Sequence, residues 1–153
     1  MDYISCYRKE MKIMANYNAK YLTNYFAVTD EMKFKSLISS CQAEAEVEVF
    51  EEKQPDGNVK FGFGCLGIIH GATEDGDDCA DNINSLYGPL QELLPPDEAI
   101  VITEIGNEKL NYFVACCTVI TRNDIQCIDA RNEAVKLAGT MLNNPDFTTK
   151  TDY

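Results

Sequence analysis

Carboxylates dominate the residues of this chain that could do chemistry. Glu44, Glu46 and Glu48 alternate with Ala45 and Val47, Glu51 and Glu52 follow at once, and Glu74, Asp75, Asp77, Asp78 and Asp81 crowd a second stretch. Such density can attract a cation or present negative charge to a basic partner. The second stretch lacks the alternation and central glycine of an EF-hand loop, since Gly76 stands only two residues after Glu74, so weak, nonspecific cation binding is the most it implies. The only histidine is His70, five residues after Cys65. The seven cysteines, Cys6, Cys41, Cys65, Cys79, Cys116, Cys117 and Cys127, form no C-x-x-C pair, and the adjacent Cys116 and Cys117 would point to opposite faces of a strand. Neither a P-loop nor a dinucleotide fingerprint occurs. These residues predict no catalytic centre, no metal and no cofactor, with most cysteines acting as small buried hydrophobes.

The charge has a location. The net charge is −12, yet residues 44–108 hold 16 acidic residues against Lys53 and Lys60, and the remainder is slightly basic. With 153 residues, 45% of them hydrophobic, one well-buried core is expected. No run approaches the roughly 18 apolar residues of a membrane helix, and the first 20 residues lack the apolar centre of a signal peptide. A cytoplasmic protein without membrane contact is the expectation.

The elements that must position these residues follow from periodicity and turn chemistry. Residues 1–20 read as a leader, either poorly ordered or a short helix, and residues 21–153 as a single domain. "TNYFAVT", Thr23 to Thr29, predicts a strand. Thr29-Asp30-Glu31 predicts a helix cap, followed by Met32, Phe34, Leu37, Ile38 and Cys41 at helical spacing. "AEAEVEVFEEK" alternates strictly, which predicts one half-buried strand with Glu44, Glu46 and Glu48 on its outer face. Pro55-Asp56-Gly57-Asn58 predicts a turn, and "NVKFGFGCLG" the returning strand, with Phe61, Phe63 and Cys65 in the core and Gly62 and Gly64 opposite. The helix "ADNINSLYGPLQELL" would be capped by Asp77, Asp78 or Asp81 and stopped at Pro95-Pro96. A second hairpin, "AIVITEI" and "LNYFVACCTVIT", is expected to turn at Gly106-Asn107-Glu108. In the last helix, Ala130, Ala134, Leu137, Ala138 and Met141 form the expected core face. The order β-α-β-β-α-β-β-α gives an α+β fold, an antiparallel sheet of about five strands with helices mainly on one face.

The opening β-α-β-β with its aromatic third strand resembles the RNA recognition motif family over Gly62-Phe63-Gly64. Phe61 stands where that family places a basic residue, and Cys65 and Ile68 where it places aromatics. Phosphate binding needs Lys and Arg, whereas the adjoining strand offers Glu44, Glu46 and Glu48, so direct nucleic-acid binding is not expected. In size, charge and lack of catalytic motifs the chain resembles the small acidic proteins that phages and mobile elements encode against restriction and CRISPR systems. That resemblance implies an inhibitor whose carboxylates occupy the groove of a basic nucleic-acid-binding effector in the host cytoplasm. Glutamates two apart on a strand are spaced about 6.7 Å, but duplex DNA carries a charge every 1.7 Å or so. Mimicry therefore requires the acidic loop 74–81, or Asp97, Glu98, Glu104 and Glu108, to converge on the same side as the strand glutamates. The alternative is a non-enzymatic interaction module or a homo-oligomeric accessory protein, which would present a contiguous apolar patch. A small enzyme would instead close a pocket around His70.

Overall fold

The structure, a computed structural model, describes residues 17–72, 82–110 and 112–150. The first strand, β1 (Asn18–Thr23), begins within the stretch assigned to the leader and ends where the predicted strand was to start. Tyr17, Ala19 and Tyr21 are buried in alternation with exposed Asn18, Lys20 and Leu22, a period-2 pattern that sets the strand. Residues 24–29 are not the predicted strand. They keep only a bridge in which Phe26 and Phe61 exchange backbone hydrogen bonds of 2.8 Å. Phe26 is held there by packing edge-on against Phe34 and Phe63.

Helix α1 (Glu31–Ser39) starts as expected: the Asp30 carboxylate accepts from the Lys33 N–H at 3.0 Å. Phe34 and Ile38 enter the core, but Met32 is 83% exposed. Two residues from Phe34, it lies about 200° round the helix and faces solvent.

The strand expected over 43–53 is two strands. β2 (Cys41–Ala43) leaves to pair with β5 (Ile69–Ala72) in a small second sheet, and β3 (Val47–Lys53) pairs with β4 (Val59–Cys65). The chain bends between them, where the Glu44 N–H bonds to the Ile68 carbonyl and Gly67 lies against Ala45. The alternation still holds through the bend: Ala43, Ala45, Val47 and Val49 pack against the core while Glu44, Glu46 and Glu48 are exposed. Gly57, at φ +90°, closes the β3–β4 turn as the Pro-Asp-Gly-Asn signal predicts.

Helix α2 (Asn84–Glu92) has no side-chain cap on its preceding residue, Ile83; the expected caps Asp77, Asp78 and Asp81 lie outside the described residues. β6 (Ala99–Glu108) runs straight through the predicted turn at Gly106-Asn107-Glu108, and the chain reverses instead at Lys109, φ 50°, before β7 (Tyr112–Thr121). Gly106 has a packing role: a Cβ there would overlap the Tyr17 hydroxyl and the Asn18 carbonyl. A strand absent from the expected order, β8 (Ile125–Asp129), then pairs with β7.

Asp129 caps helix α3 (Ala130–Met141) by accepting from the backbone N–H of Arg131 and Asn132. Its expected core face is mostly in solvent. Ala130 and Ala134 are exposed, Leu137 is 59% and Met141 78% exposed, and the buried position is Gly139. Asn144, whose N–H bonds to the Gly139 carbonyl, folds the following chain back over that glycine.

Among the described residues the fold is thus α+β, with every named strand pair antiparallel. The main sheet has six strands in the order β3-β4-β1-β6-β7-β8, beside the two-stranded β2-β5 sheet. No helix among these residues is long and apolar enough to cross a membrane.

Candidate functional site

Cross-strand register sorts the side chains of the main sheet into two faces, because directly opposed residues in an antiparallel pair share a face. One row runs Val47, Cys65, Tyr21, Glu104, Cys116, Asp129 across all six strands. Its neighbours include Phe63, Ile102 and Thr118, and Phe61, Ile100 and Ile120, all buried. Phe34 of α1 packs on Phe61 and Phe63, so this is the helix-covered face. Burial there is incomplete in polarity: Glu104 is only 6% exposed and accepts a 3.0 Å hydrogen bond from the Tyr17 hydroxyl, whose ring crosses Gly106 to reach it.

The opposite face carries the row Glu48, Gly64, Leu22, Thr103, Cys117, Ile128. Adjacent outward positions hold Phe50, Ile105 and Phe113. Leu22 is 57%, Ile105 52%, Ile128 50%, Phe113 45% and Phe50 36% exposed. Phe50 and Leu22 lean over Gly64, and Tyr25 over Gly62, so the two glycines carry these side chains on a smooth backbone. Cys117 lies here with its sulfur 3.6 Å from the Thr103 hydroxyl, opposite in direction to Cys116, as adjacent strand residues must be.

The acidic residues are distributed rather than gathered. Glu48 and Glu52 stand on the outward face of β3, Glu52 opposed to Lys60. Glu51 turns toward α1, where Lys35 Nζ sits 2.9 Å from it and 2.9 Å from Glu31. Those two carboxylates hold the Lys35 ammonium above its ordinary pKa. Glu44, at the bend, has its carboxylate 4.0 Å from His70 Nε2, and Glu46 is exposed beside it. The bend and the edge position of β3 therefore point five glutamates in at least three directions. Glu74, Asp75, Asp77, Asp78 and Asp81 lie outside the described residues.

The sequence reading assigned no face to these outward apolar residues. A signal was present: "AIVI" in β6 and "YFVACC" in β7 are apolar without alternation, the composition of strands buried on both sides. Only one side is covered here among the described residues. Comparison of the chain with known protein families, curated proteins and solved structures returned no match, so the chemistry of its own surfaces is the guide to its function.

Proposed function

We propose that the protein is a non-enzymatic interaction module whose working form is a homodimer, two copies meeting through the uncovered faces of their six-stranded sheets. The observation that carries this is the outward face on which Leu22, Phe50, Ile105, Phe113 and Ile128 are half-exposed, with β6 and β7 at its centre apolar without alternation. Its size is right. Six strands about 4.8 Å apart and some seven residues of each strand give a patch on the order of 600–700 Å², close to the 800 Å² or so that each partner contributes to a standard interface.

Charge favours a second copy over a strongly charged partner. The outward strand positions carry Lys20 and Lys60 against Glu48 and Glu52, a balanced patch on a chain of net −12. An isologous contact between two such faces brings together no excess of like charge, and sheets packed face to face about 10 Å apart bury their facing side chains. Sedimentation velocity over a concentration series tests this. A monomer–dimer equilibrium near ~1 µM is expected from an interface of this size; a monomer at all concentrations refutes it.

A second reading keeps the acidic edge as the working surface: an inhibitor that docks its carboxylates in the basic groove of a restriction or CRISPR effector. It is favoured by the exposure of Glu44, Glu46 and Glu48 along the bend and β3. Its test is inhibition of such effectors by the protein and by the E44K/E46K/E48K variant. Inhibition that falls with salt and vanishes in the variant supports it, whereas unchanged inhibition removes these glutamates from the interface.

A further inference from the structure

The two edges of the six-stranded sheet are built differently. β8 is five residues long, the N–H of its first residue, Ile125, donates to the Asp124 carboxylate at 2.8 Å, and its far end runs straight into α3. β3 is seven residues long, contains no proline, and keeps an unbroken register with β4 from the Val47–Cys65 pair to the Lys53–Val59 pair. Shortness, proline, a bulge or charge can blunt an edge strand, and of these β3 has only charge.

Hydrogen-bond phase determines which backbone groups this edge offers. Phe61 exchanges both of its backbone bonds with Phe26, and the Phe63 N–H donates to the Thr23 hydroxyl, so these two residues of β4 turn their amides away from β3. Backbone groups of successive strand residues point to opposite sides, which leaves Lys60, Gly62 and Gly64 to bond with their partners Glu52, Phe50 and Glu48. The Gln54 N–H, donating to the Asn58 carbonyl at the turn, keeps the same phase. The N–H and C=O groups of Val47, Val49, Glu51 and Lys53 therefore point out of the sheet. Among the described residues no hydrogen bond reaches them.

Charge selects what can complete this edge. Glu48, Phe50 and Glu52 stand on one face of β3, and Val47, Val49 and Glu51 on the other. The nearby cations are engaged: Lys60 pairs with Glu98 at 3.4 Å, and Lys35 with Glu31 and Glu51. Among the described residues Glu48 and Glu52 have no ion-pair partner. A second copy pairing β3 with β3 would bring two such rows of carboxylates side by side, which opposed strands disfavour. A strand with basic residues opposite Glu48 and Glu52 and apolar ones opposite Val47, Val49 and Phe50 meets no such penalty. We propose that the β3 edge takes up an extended basic segment of a partner protein as a seventh, antiparallel strand. Main-chain hydrogen bonds hold the segment, and Glu48 and Glu52 read Lys or Arg at alternate positions. This site is separate from the face-to-face dimer, because the edge lies in the plane of the sheet and stays open when the outward face is covered.

The probe is the peptide acetyl-Thr-Lys-Thr-Val-Val-Lys-Val-amide, titrated into the full chain. In antiparallel register its lysines fall opposite Glu52 and Glu48 and its first valine opposite Phe50. N-methylation of the third, fifth and seventh residues, whose amides face β3, removes three main-chain bonds and should weaken binding roughly a hundredfold. N-methylation of the second, fourth and sixth, whose amides face away, should leave the affinity unchanged. Residue-resolved hydrogen exchange reads the same edge without any variant. In the free protein the amides of Val47, Val49, Glu51 and Lys53 should exchange fast and those of Glu48, Phe50 and Glu52 slowly, and bound peptide should slow all of them. In E48K/E52K the peptide should bind about tenfold more weakly, and its counterpart with glutamates in place of lysines should bind in its stead. Absence of binding, equal weakening by the two N-methylation patterns, or outward amides already protected in the free protein, as in a β3-to-β3 pair, overturns the proposal.

Discussion

Replacing Leu22 by Asp tests the proposed dimer where its magnitude can be worked out. Leu22 sits in the middle of the outward row, on the third strand of six, and is 57% exposed. That exposure leaves roughly 90 Å² of leucine surface for a partner to cover, which at about 25 cal/mol per Å² contributes roughly 2 kcal/mol. In an isologous dimer the residue occurs twice, so about 4–5 kcal/mol is lost before the new carboxylate is desolvated, or roughly three decades in dissociation constant. The folded monomer should lose only about 1 kcal/mol, because the side chain contributes little to the core and Asp is merely a poor strand residue. Sedimentation velocity of wild type, Leu22→Asp and Met32→Asp separates the two effects. Met32, 83% exposed on α1, belongs to the helix side and should leave association unchanged. An unaltered dimer constant in Leu22→Asp, or equal weakening by Met32→Asp, would refute the assignment of this face.

Two further outcomes concern the fold that carries the face. Gly106→Ala should cost roughly 3–5 kcal/mol in chemical denaturation, because its Cβ drives into the Tyr17 ring and Asn18 carbonyl and displaces the hydroxyl that bonds Glu104; a loss near the about 0.5 kcal/mol of a neutral surface change would contradict that packing. Glu98 supplies a pH dependence. Burial raises its pKa, but hydrogen bonds from the Ala27 and Ala99 N–H groups, with Lys60 3.4 Å away, outweigh this and hold it below the ordinary range. A carboxylate depressed on folding contributes stability above its unfolded pKa and loses it as pH falls through the folded value. Thermal denaturation of Glu98→Gln should therefore show a lower Tm than wild type at neutral pH and a difference that closes in acid.

Much of this protein is written in local sequence. The Asp30 cap, the Pro-Asp-Gly-Asn turn, the in–out alternation from Ala43 to Val49 and the burial of Phe61, Phe63 and Cys65 all follow from spacings of a few residues, and the structure agrees with each. These features are legible because turn geometry, capping and strand period depend on neighbours in the chain. The sum of charges is also a property of sequence alone.

Other features depend on residues distant in sequence. Gly106 reads as a turn until Tyr17, 89 positions earlier, is seen to lie across it; β8 is too short to announce itself and exists because β7 offers an open edge. The apolar stripe of α3 has the spacing of a core helix, yet Leu137 and Met141 face solvent because the chain folds Asn144 back onto Gly139 instead. Glu44 and Glu51 share a stretch of sequence but meet His70 and Lys35 on separate elements. Above all, Leu22, Ile105 and Ile128 belong to strands 1, 6 and 8, and only the register of a six-stranded sheet makes them one surface. Sequence determined that β6 and β7 are apolar enough to be buried on both sides; tertiary structure decided which side is covered, because that choice is made by packing between elements and not within any of them.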